Sequence, residues 1–135
     1  MKMKQLTAGM IALVMSMSLP MTTYAADWDL ENGSITVDAG DSGQTVTQQG
    51  STPKQDDAPV ITQSSAETSN TITINASENA TANVTIKDIN IKSSNDAIDV
   101  TGSSSANITL EGDNKIFSET GSALHISDGN VTING

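Results

Sequence analysis

Sixteen carboxylates and a single histidine, His125, carry most of the chemistry that this 135-residue chain could perform. Carboxylates, side-chain amides and turn carbonyls are hard oxygen donors of the kind calcium gathers, about six to eight at a time. Asp88, Asp96, Asp99 and Asp113 lie beside turn-forming runs and are the candidate calcium ligands. Neither an EF-type loop nor a Gly-Gly-x-Gly-x-Asp nonapeptide accompanies them. A carboxylate pair could instead hydrolyse a glycoside. Asp96 and Asp99 are the closest pair sharing a strand, but a spacing of three puts them on opposite faces of a regular one. They therefore read as solvated acids. His125 has no Gly-x-Ser-x-Gly elbow to work with, and a triad would need a nucleophile placed against it. A surface contact with Asp99, one repeat earlier, is the expectation. Of the aromatic residues, Trp28 and Phe117 belong to no row of sugar-stacking platforms, and Trp28 reads as a plug on the first coil.

The elements that must hold these residues begin after a leader. Met1-Lys2-Met3-Lys4, an apolar stretch from Leu6 to Leu19 and Thr23-Tyr24-Ala25-Ala26 form the three parts of a secretory signal. The stretch is too short for the roughly 20 residues of a membrane-spanning helix. Cleavage is expected after Ala25 or Ala26, with Ala26 preferred, so residues 1–26 form the signal peptide. Loss of Lys2 and Lys4 leaves four lysines against sixteen carboxylates, a net charge of −12, and there is no arginine. Such a surface repels nucleic acid and anionic lipid, so neither is an expected partner. It also keeps an extracellular protein soluble. There is no cysteine, so the disulfides that brace many small secreted domains are absent. With so few aromatics, a stacked repeat is the economical way to build a core, because each layer uses its neighbours.

Short runs of alternating apolar and polar residues fill the rest, among them Ile35–Val37, Thr71–Ile74, Val84–Ile86, Ala97–Val100, Ile108–Leu110 and Val131–Ile133. This is the period of a strand with one buried face. Clusters such as Ser93-Ser94-Asn95-Asp96 separate the runs and favour turns. Asn83-Val84-Thr85-Ile86 returns as Asn107-Ile108-Thr109-Leu110 after 24 residues, and as Asn130-Val131-Thr132-Ile133 after 23 more. Likewise Asp96-Ala97-Ile98-Asp99-Val100 returns as Ser122-Ala123-Leu124-His125-Ile126. This predicts an all-β, right-handed parallel β-helix, a solenoid of about 23-residue coils over residues 71–135. Asn83, Asn107 and Asn130 would stack in a ladder at successive turns, a better account of them than their glycosylation sequons. Residues 27–70, polar from Asp38 to Asn70, are expected to form an irregular N-terminal cap and first coil, with long loops. The chain stops at Asn134-Gly135 without a polar capping coil, so it is expected to continue into further coils of a longer protein.

Asp27–Val37 directly after a signal, Thr71–Ala76, and coils of the Ala82–Ile86 type resemble secreted β-helix proteins of Gram-positive, Clostridia-like bacteria. These include carbohydrate-binding domain proteins and surface adhesins. The resemblance implies binding of polysaccharide or cell-wall glycan, with calcium as a bridge, on a secreted or wall-associated protein. The same fold houses pectin lyases and polygalacturonases, but the arginine base of many lyases is missing and four scattered lysines do not make a substrate clamp. No catalytic residue is assigned, and a non-enzymatic glycan binder is expected, with a structural stalk and a polysaccharide lyase or hydrolase as the alternatives.

Overall fold

The computed structural model describes residues 25–135, so the expected signal peptide falls outside it apart from Ala25 and Ala26. The chain runs through β1 (Asp27–Asp29), a 3-10 turn (Leu30–Asn32) and β2 (Ile35–Gly40), then doubles back as β3 (Gly43–Gln48) and β4 (Lys54–Gln55). A second coil holds β5 (Val60–Thr62) and β6 (Ile72–Ala76). The third holds β7 (Thr81–Lys87), β8 (Asn90–Ser93) and β9 (Ile98–Gly102). The fourth holds β10 (Ser105–Glu111), β11 (Lys115–Ser118) and β12 (Leu124–Ile126), and β13 (Asn130–Asn134) follows.

Successive coils stack strand on strand. The first sheet runs β1-β5-β7-β10-β13, the second pairs β8 with β11, and the third runs β12-β9-β6-β2-β3-β4. Every pairing is parallel except those of β3 with β2 and β4. The protein is a parallel β-helix whose later coils advance by 24 to 26 residues, close to the period in the sequence. The first coil, which carries the β3–β4 insertion, advances by 33 (Asp27 to Val60) and 37 (Ile35 to Ile72).

Alternation puts one aliphatic row above another. Ile35, Ile72, Ile98 and Leu124 align across four strands, and Val37, Ile74 and Val100 form the row beside them. All but Leu124 are buried. Each side chain so buried contributes roughly 1.5–3 kcal/mol, which lets β-branched residues replace the missing aromatics. Trp28 packs partly buried against this core, as a plug should.

The register differs from the sequence repeat at one point. Val131 stacks on Ala106 and Ile133 on Ile108, so Thr132, not Asn130, lies over Asn107. The asparagine ladder is therefore Asn83–Asn107, joined by an amide bond from Asn107 Nδ2 to Asn83 Oδ1 of 3.0 Å. Asn130 aligns with Ser105. A slip of two residues keeps every side chain on its face, so the inside–outside assignment survives it.

Residues 38–70 are also more regular than their polar composition indicates. The β2–β3–β4 hairpins cover one edge of the third sheet, and Gln44, only 4% exposed, points inward at an aliphatic position. Its amide donates to Asn83 O (2.9 Å) and accepts from Asn83 N (2.8 Å). Because β5 is aligned only with Thr85 and Ile86 of β7, the Gln44 amide substitutes for the strand missing beside Asn83. Gln63 treats Asn90 of β8 in the same way, donating to its carbonyl (3.1 Å) and accepting from its N–H (2.7 Å).

Candidate functional site

Side chains that alternate away from the core form continuous polar rows on the outer face of the third sheet. One row runs Thr47, Thr36, Thr73, Asp99, His125, and its neighbour runs Thr45, Asp38, Asn75, Thr101. Hydrogen bonds run along the rows: Asn75 Nδ2 donates to Asp38 Oδ1 (3.1 Å) and Thr101 Oγ1 to Asn75 Oδ1 (3.4 Å). The result is a flat surface of hydroxyls, amides and carboxylates repeating at the coil spacing of about 4.8 Å.

One end of this surface carries the densest chemistry. His125 aligns with Asp99 on the adjacent strand, and its Nδ1 lies 2.8 Å from Asp99 Oδ1 and 3.6 Å from Asp96 Oδ2. The stacking expected from the repeat is therefore present. Asp96 does not obey the strict alternation that would turn it away. It lies outside β9, at the bend leading into it, where its Oδ1 also accepts from the Ser122 N–H at 2.6 Å. The bend returns Asp96 to the side of Asp99, and one ligand atom from each of Asp96, Asp99 and His125 falls within 4.8 Å of the others. The His125 side chain is 45% exposed, leaving the group open to a ligand.

The hydrogen bond to Asp99 raises the His125 pKa above its ordinary value, with desolvation opposing it and the charges of Asp96 and Asp99 adding to the rise. A raised folded-state value means that this contact stabilises fully below the unfolded pKa of about 6.5 and is lost as pH climbs through the folded value. A proton NMR titration should give His125 a midpoint above about 6.5, and Asp99→Asn should bring it down. A wild-type midpoint at or below that value would contradict the ion pair.

Two carboxylates and an imidazole suit a zinc-like divalent ion, whereas calcium prefers an all-oxygen shell. Any such ion competes with the proton on Nδ1, so its binding strengthens as pH rises. The four acids expected to bind calcium separate into two pairs. Asp88 and Asp113 lie in turns between the first and second sheets, where Asp88 Oδ1 accepts the Asp113 N–H (3.0 Å) and supports the next coil's turn. Phe117 is 55% exposed on β11, away from these rows. Asp56, 1% exposed, falls in the polar stretch expected to form long loops, where one acid among many carries no sign of burial. Among the described residues no helix is long and apolar enough to cross a membrane. No protein family, curated protein or solved structure matches the chain.

Proposed function

We propose that this is a secreted or wall-associated, non-enzymatic β-helix that binds polysaccharide on the outer face of its third sheet, as adhesins of this architecture would. The observation carrying the proposal is the pair of polar rows crossing β3, β2, β6, β9 and β12. A flat array of short hydroxyl, amide and carboxylate groups matches the hydroxyls of an extended glycan, and rigid strands position groups more accurately than loops do. A divalent cation held by Asp96, Asp99 and His125, whether calcium or a softer ion, would let an acidic sugar approach a chain that carries four lysines against sixteen carboxylates once its leader is lost.

Pull-down on neutral and acidic cell-wall polysaccharides, with and without EDTA, tests this. Binding should fall at least about ten-fold, roughly 1.4 kcal/mol, in a Thr73→Ala, Asn75→Ala variant of unchanged melting temperature. EDTA should weaken only the acidic ligands. Absence of binding under every condition would sink the reading and leave a structural stalk. The Asp96–Asp99 pair beside His125 favours a second reading, a polysaccharide hydrolase or lyase. Reducing ends, or an unsaturated product absorbing near 235 nm, would establish it.

A further inference from the structure

Asp56 is the most deeply buried acid among the described residues, 1% exposed, and none of their ion pairs involves it. Its Oδ1 accepts from the Ala58 N–H (3.1 Å), while its Oδ2 accepts from the Trp28 indole N–H (2.7 Å) and from Ala26 N (3.0 Å). While the leader is attached, all three donors are neutral. A buried carboxylate without a counter-charge is a heavy burden on a small fold. The nitrogen of Ala26 becomes a cation if the peptide bond before it is cut.

We infer that the leader is removed between Ala25 and Ala26, and that the α-ammonium released on Ala26 forms an ion pair with the buried carboxylate of Asp56. A leader peptidase supplies the hydrolysis: water adds across the Ala25–Ala26 bond, Ala25 leaves as a carboxylate, and Ala26 nitrogen takes up protons to become –NH3+. Two further observations select this bond over the next one. Both backbone groups of Ala26 are used by the fold, since its carbonyl accepts from Val60 N (3.0 Å). A cut after Ala26 would discard both contacts. The cut after Ala25 also places small residues, Ala25 and Thr23, at the two positions before it that leader peptidases read, whereas a cut after Ala26 would put Tyr24 at the outer one. The expectation of Ala26 from composition alone is thereby revised.

The native state gains this ion pair only once the chain has been exported, so the leader-bearing precursor is the less stable form. That keeps it easier to hold unfolded for transport. The inference rests on the export reading, and its test separates the two. The full chain, with its own leader, is expressed in an exporting bacterium and its intact mass is measured. The amine is then acylated near pH 6.5, where an α-amine reacts and lysine scarcely does. The expected product begins at Ala26, and its amine reacts at least about ten-fold slower in the folded protein than in urea. In Asp56→Asn the protection should disappear. A retained leader would overturn both the export reading and the inference. A product beginning at Asp27, or at any other residue, would overturn the inference alone. So would a folded wild-type amine as reactive as the unfolded one, a comparison that holds even if Asp56→Asn fails to fold.

Discussion

Replacing Gly102 by alanine should lower the midpoint of thermal unfolding by at least about 10 °C, corresponding to roughly 3 kcal/mol in a domain of this size. Gly102 ends β9 with φ +95°, a conformation that L side chains rarely adopt. It aligns with Ala76 of the coil before it. A Cβ there would lie 2.2 Å from the Ala76 carbonyl oxygen and 2.9 Å from its carbonyl carbon and its nitrogen. These are backbone atoms fixed by the ladder, so no side-chain rotation relieves the clash and the coils must separate. Gly50→Ala is the control: its φ is +79°, but no atom lies within 4 Å of its added Cβ. Only left-handed strain acts there, worth roughly 1–2 kcal/mol. If the two variants melt together, inter-coil contact at Gly102 is not what requires the glycine.

Strand location was the most legible feature of this protein because it depends only on alternation. The alternating segments around Ile35, Ile72, Ile98 and Ile108 all became core-facing strands. Stacking order was legible where two signatures agreed, and Ile98 does lie against Leu124. Register was harder. Asn130-Val131-Thr132-Ile133 looks like Asn107-Ile108-Thr109-Leu110, yet it is displaced by two, because the coil leading to β13 advances by 25 residues (Ser105 to Asn130) while the motif returns after 23. A two-residue slip leaves the hydrophobic pattern unchanged, so nothing in the pattern could report it.

The candidate site was half legible. His125 over Asp99 follows from the repeat, but the return of Asp96 to their side depends on a bend that strand periodicity does not encode. The hairpin after β2 had a local signal in Gly40-Asp41-Ser42-Gly43, a two-residue turn between alternating strands. Polar composition masked it. The polar stretch from Asp38 to Asn70 suggested loop, but the amides of its Gln44, Gln48 and Gln63 act as substitute peptide groups where the first coil is incomplete; Gln48 Nε2, for example, donates to Asp29 O (2.6 Å) and Gly33 O (3.1 Å).

That role makes Gln44→Leu the second large expected effect, a loss of about 2–4 kcal/mol in urea unfolding. Leucine has nearly the same volume and faces the same core, so burial alone would make the change neutral or favourable. The opposing effect is the loss of three hydrogen bonds. Asn83 N–H and C=O lose the Gln44 amide that partners them on that side, and Asp56 O loses the Gln44 Nε2 donor at 3.0 Å. A partly buried backbone group left unpaired costs about 1–3 kcal/mol, so the orphaned groups outweigh the added methyl contacts. The damage extends beyond β7, since Gln44 O also accepts from Asp56 N (3.0 Å), and Asp56 holds Ala26 and Trp28. Hydrogen exchange at the Asn83 amide should accelerate well beyond the change in global stability, while Gln49→Leu, on an exposed position, should alter neither measurement. A Gln44→Leu protein as stable as wild type would mean that water satisfies Asn83 at this edge. The cap would then owe its order to the aliphatic side chains of Leu30, Val46 and Ile61 rather than to amides standing in for a strand.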